Sequence, residues 1–118
     1  MRERQRSLEL TPELLRAYSR RGNFHSDPDE ARRIGMPGLV AQGMQVAGPA
    51  YGLLLDEWGE EFLAGGELDL KFVGMVTDGQ AVDAAVDVGD DDATAIIEVT
   101  NRATGRAAAV GRARRRTP

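Results

Sequence analysis

One side chain in this sequence is suited to proton transfer at neutral pH: His25, the single histidine, set in the run Asn23-Phe24-His25-Ser26-Asp27-Pro28. An unperturbed imidazole titrates near ~6.5, so it both takes and gives a proton in that range. Any catalytic triad would have to be built around this ring. The chain has no cysteine, which excludes thiolate nucleophiles, thiolate zinc sites, iron–sulfur clusters and disulfides together. A metal site would rest on carboxylates, and the densest group is Asp83, Asp87, Asp90, Asp91 and Asp92. Their spacing is that of strand exteriors and a turn, without the alternating ligands and glycine of a calcium loop, so they read as a solvated face. No metal and no cofactor is called for. Taken alone, the other candidates have plain structural readings: Asn23 as a loop residue, Asp27 as a helix cap, Gln42 and Gly43 as helix-start residues. His25 itself has one, as a hydrogen-bonded loop histidine.

The chain has 118 residues, 42% hydrophobic and 29% charged, which suits a single domain, 1–118, with 1–7 and 112–118 as loose tails unless Leu8 and Leu10 draw the first into a short strand. Fifteen basic against 19 acidic side chains give a formal charge of −4, so there is no general attraction for nucleic acid. No stretch approaches the ~18–20 apolar residues of a membrane span, and Met1 to Leu10 lacks the apolar core of a signal peptide. A cytoplasmic setting is expected. Arg112, Arg114, Arg115 and Arg116 could meet the phosphates of coenzyme A or an acidic carrier, but a solubilising tail is the simpler reading.

The elements that position these residues follow from local grammar. Thr11-Pro12-Glu13 supplies an N-cap, a first-turn proline and an early carboxylate for a helix that Gly22 stops. Asp27-Pro28-Asp29-Glu30 repeats that opening for a short helix through Arg33, closed by Gly35 and Pro37. From Val40 to Trp58 the apolar positions Val40, Met44, Ala47, Tyr51, Leu54 and Trp58 hold the helical period. This predicts a long central helix, with a kink or break at Pro49. Met36, Met44, Met75, Tyr51 and Trp58 are expected in the core. After Gly65-Gly66 the period changes to two. Leu68-Leu70-Phe72, Val82-Ala84-Val86-Val88, Ala95-Ile97-Val99 and Arg106 to Val110 or beyond predict a four-strand antiparallel meander with turns at Asp78-Gly79, Gly89 to Asp92 and Thr104-Gly105. The fold class is α+β, an antiparallel sheet wrapped around one long helix. One helix leaves the sheet's edges open, so a homodimer paired edge to edge is expected, with a heteromer as the other way of covering them.

The run Tyr18-Ser19, Asn23-Phe24-His25-Ser26-Asp27-Pro28, Ala31, Gly35-Met36-Pro37 and Val40-Ala41-Gln42-Gly43-Met44 resembles the MaoC-like hydratase/dehydratase family of hotdog proteins. That family's pattern reads roughly Y-S-G-D-x-N-P-x-H-x-D-P-x-x-A, then G-x-P-x-P-I-x-H-G-M. The resemblance implies a single hotdog domain and a hydro-lyase interconverting enoyl and 3-hydroxyacyl thioesters of coenzyme A or acyl carrier protein. It implies His25 as the proton-transfer residue, Asn23 as the group positioning water or His25, and Gln42 and Gly43 as substrate contacts. In the family the glycine amide steadies the thioester oxygen, as a helix N-terminus is suited to do. The family's Asp has no match: the chain is one residue short between Tyr18 and His25, and Arg20 and Arg21 occupy the nearest slots. This departure keeps two further readings open. One is a non-catalytic or partner-dependent subunit that binds a ligand or a catalytic chain. The other is a divergent isomerase or cyclase on the same scaffold.

Overall fold

A computed structural model of the chain describes residues 2–18, 26–36 and 38–115. The elements run β1 (Arg2–Glu9), α1 (Pro12–Tyr18), α2 (Pro28–Arg33), α3 (Gly43–Trp58), α4 (Glu60–Leu63), β2 (Glu67–Phe72), β3 (Ala81–Val88), β4 (Thr94–Asn101) and β5 (Arg106–Arg114). All strands join one antiparallel sheet in the order β1-β3-β4-β5-β2. The long helix α3 lies across one face, and the sheet's inner residues bury against it.

Strand alternation decides which face is buried. Val82, Ala84, Val86 and Val88 of β3 and Ala95, Ile97 and Val99 of β4 are at most 2% exposed. Paired in register, they form the floor beneath α3. From α3 come Val46, Ala50, Leu53, Leu54 and Trp58. Each large side chain removed from water here contributes roughly 1.5–3 kcal/mol.

Several local expectations hold. Thr11 Oγ1 accepts from Leu14 N at the start of α1, and Asp27 Oδ1 accepts from Asp29 N and Glu30 N at the start of α2. Gly105 takes a positive φ of 70° in the β4–β5 turn, a conformation open to glycine at little cost.

Other expectations are corrected. Residues 2–7 are not a loose end but most of β1, paired with β3 from Arg2–Val88 to Glu9–Ala81. Likewise β5 continues to Arg114, and the head of Arg114 meets Glu67 at 2.7 Å, so 112–114 are strand. The meander is three strands, not four, because β2 crosses over to pair with β5 rather than β3. The Asp78-Gly79 turn therefore ends a crossover and joins no hairpin. It binds outward instead: Gly79 N donates to Leu10 O, and Asp78 Oδ1 accepts from Leu39 N. The central helix begins at Gly43 rather than Val40, which forms an antiparallel bridge with Thr77. It is also not interrupted at Pro49, which is buried inside one continuous helix. Finally, Met44 and Met75 are surface residues, 57% and 47% exposed, while Trp58 is buried.

Candidate active site at the start of the central helix

The start of α3 is fixed by the strand-like segment before it. Ala41 N donates to Val76 O at 2.8 Å, and Leu39 and Asp78 exchange bonds at 2.9 Å each, Asp78 N to Leu39 O and Leu39 N to Asp78 Oδ1. These bonds hold residues 39–41 extended and force the helix to open afterwards. Gln42 is the N-cap, with φ −73° and ψ 150°, and its carbonyl accepts from Gln45 N and Val46 N. Its side chain makes no capping bond, and no carboxylate stands in the first turn. The leading N–H groups of a helix have no intrahelical partner and carry the positive end of its dipole. An oxygen gaining negative charge is stabilised at such a place, with no acidic side chain in that turn to oppose it.

Gly43 leads this turn, and the ring of Phe72 lies over it. A β-carbon on Gly43 would stand 3.0 Å from two carbons of that ring. Phe72 is on the inner face of β2, opposite Ala109, yet remains 49% exposed. With Met44, Val73 and Met75, each between 47% and 57% exposed, it makes an apolar rim near the helix start.

Behind the rim, Gln45 is 8% exposed and donates from Nε2 to Leu14 O at 2.9 Å. It ties the first turn of α3 to α1, the helix that precedes the stretch carrying Asn23 and His25. The crossover that flanks the site is held by a second amide: Asn101 Nδ2 donates to Gln80 Oε1, which also accepts from Thr77 N.

Of the four residues singled out from the sequence, Gln42 and Gly43 are adjacent at this helix start. Asn23 and His25 lie outside the described residues. The sequence marks Phe72 only as a strand position and Gln45 not at all. A glutamine inside an apolar helical stretch was the available signal for the second; nothing local marks the first, which reaches Gly43 across 29 residues of chain.

Open hollows also occur on the outer sheet face, one of them lined by Asp87, Gly89, Thr94, Ile96 and Arg112. They lie on the side of the sheet opposite α3. Among the described residues no cluster of His, Asp or Glu is placed to hold a metal ion, and no helix is long and apolar enough to cross a membrane.

Comparison with known proteins agrees with this architecture. The family described as MaoC like domain matches residues 2–108. No curated protein matches the sequence. Among solved structures, the chain is similar to an (R)-hydratase from A. caviae involved in PHA biosynthesis, with a TM-score of 0.78 and 22% identity over 99% of this chain and 95% of that one. It is similar to the R-hydratase PhaJ1 of Pseudomonas aeruginosa, TM-score 0.77 and 18% identity, over 99% and 80% of the two chains. It also resembles a chain of the ChsH1–ChsH2 complex of Mycobacterium tuberculosis, TM-score 0.71 and 15% identity, over 96% and 94%. At these identities the likeness is one of fold, the hotdog arrangement of a sheet around a central helix.

Proposed function

The chain belongs to the MaoC-like family, and from that premise we propose that it is a hydratase/dehydratase acting on an enoyl thioester of coenzyme A or acyl carrier protein. In hydration, water forms a C–O bond at the β-carbon and a proton is added at the α-carbon; dehydration reverses both. His25 takes the proton from water or returns it, and Asn23 orients the water or the ring. The Gly43 amide, beside Gln42, receives the thioester oxygen as its charge grows. The working form is a cytoplasmic homodimer paired edge to edge.

The observation that supports this reading is the junction at Gln42-Gly43. The first-turn amides of a 16-residue helix there face no first-turn carboxylate, and an apolar rim stands beside them. The test is hydration of a short enoyl thioester by the purified chain and by His25→Ala. Loss of kcat/KM by about 10²–10⁴ in a folded variant is the usual worth of one acid/base group. Undiminished turnover in folded His25→Ala removes the assignment.

A second reading has its own support. Arg20 and Arg21 stand nearest the family's missing Asp, and one structural neighbour is a complex of two differently named chains. A partner-dependent subunit would hydrate no enoyl thioester as a homomer. Its ligand or partner affinity would survive His25→Ala.

A further inference from the structure

Three side-chain polar atoms among the described residues are buried without a hydrogen-bond partner: Gln45 Oε1, Trp58 Nε1 and Asp87 Oδ1. Trp58 stands at the far end of α3, and Asp87 belongs to the outer sheet face. Gln45 is in the first turn of α3, two residues after Gly43. Its neighbour settles which end of its amide is which. Leu14 O can only accept, so the group 2.9 Å from it is Nε2. The other end, Oε1, is out of water and accepts from no described residue.

Local structure does not call for a glutamine here. At the third position of a helix its carbonyl can reach back to the N–H of the N-cap residue. This one makes no such bond to Gln42. Leucine and methionine form helix as well as glutamine does. Either would fill a position that is 8% exposed without taking a bare carbonyl out of water. An acceptor held in this turn, its orientation fixed by Leu14, suits a ligand that brings an O–H of its own.

We propose that Gln45 Oε1 accepts a hydrogen bond from the oxygen that is added to, or lost from, the β-carbon of the acyl chain, and so makes the site prefer a 3-hydroxyacyl thioester to its saturated counterpart. This rests on the hydratase reading above and adds a group to it. A water that attacks the β-carbon has two hydrogens to place. One leaves with the base as the C–O bond forms; the other stays on the oxygen and becomes the hydrogen of the 3-hydroxyl. An amide oxygen is too weak a base to take the first and is a good acceptor for the second. It holds that hydrogen before and after addition alike, which aims a lone pair of the water at carbon without any exchange of protons. The thioester oxygen has a separate station at the Gly43 amide, so loss of Gln45 leaves thioester binding itself in place.

The experiment is equilibrium binding of racemic 3-hydroxybutyryl-coenzyme A and of butyryl-coenzyme A to the full chain. It is read in the wild type and, to hold the ligand intact, in His25→Ala, each with and without Gln45→Met. Gln45→Met should weaken binding of the hydroxyacyl ester by about tenfold, the worth of one buried hydrogen bond, and leave that of the saturated ester unchanged. In hydration of a short enoyl thioester it should lower kcat by about tenfold with KM held, because that substrate carries no hydroxyl in its ground state. Gln45→Glu, which keeps an acceptor, should retain the preference. Equal weakening of both esters, or of neither, overturns the assignment and leaves the glutamine as packing between α3 and α1. A wild type that binds neither ester overturns it together with the thioester reading. A hydroxyl preference that disappears in Gln45→Met while no enoyl thioester is hydrated upholds the contact and sinks the hydratase alone. Gln45→Leu repeats the comparison if Gln45→Met fails to fold by circular dichroism.

Discussion

The ring of Phe72 stands so close to Gly43 that a β-carbon added there would meet ring carbons at 3.0 Å. Alanine is favoured over glycine within a helix by up to about 1 kcal/mol. With Phe72 in place, Gly43→Ala should recover little of this, because the ring must move. With Phe72→Ala the same substitution should be stabilising. Urea denaturation of the four proteins measures the coupling, and strictly additive effects would show that the contact carries no strain.

A second outcome concerns acid. Arg102 grips Asp83 with two donors, at 2.5 and 3.1 Å, and Ser7 Oγ donates to the same carboxylate at 2.6 Å. Arg102 first, then Ser7, holds the Asp83 carboxyl down at about 2. A depressed carboxyl contributes stability above its unfolded value, near ~3.9, and that contribution disappears as pH falls through the folded value. Wild-type stability should therefore decline between about pH 4 and pH 2 more steeply than that of Asp83→Asn. Identical acid profiles for the two proteins would contradict this. Arg102→Gln should return the carboxyl toward the ordinary range, as a titration followed by NMR would register.

Asn101 offers a third test, because it is buried and fully engaged. It is 3% exposed, donates from Nδ2 to Gln80 Oε1 at 2.9 Å and accepts from Ala103 N at 3.0 Å. Asn101→Ala should cost roughly 1–3 kcal/mol by removing two part-buried hydrogen bonds, each worth about 0.5–1.5 kcal/mol. It should also loosen the crossover against which Ala41 is bonded. Faster amide exchange at Ala41 than the global loss explains is the expected signature; exchange that merely tracks global stability would mean the amide network is local to its turn.

What could be read from the sequence was what neighbouring residues decide among themselves. Thr11 and Asp27 cap their helices through bonds spanning two or three residues, and β3 and β4 alternate as half-buried strands must. Apart from Pro49, which the helix accommodates, the failures named here are non-local. β1 looks polar because its inner face carries Arg4 and Arg6, whose carboxylate partners lie some fifty residues away on α3. Val40 continues the helical period but is claimed by Thr77. Asp78-Gly79 has hairpin composition, yet its bonds go to Leu10 and Leu39. At the candidate site, Gln42 and Gly43 were legible as a motif at a helix start, whereas the overlying Phe72 depends on where β2 is placed in the sheet.

The ion pairs along β1 bear on how far such a molecule can grow. A sheet with two apolar edges would go on adding copies, strand upon strand, into a fibre. Here Arg4 and Arg6 are already committed to Glu57 and Asp56, and an incoming strand would find guanidinium stems instead of an apolar ledge. Growth along that margin is therefore opposed, so edge pairing cannot propagate from both sides of the sheet.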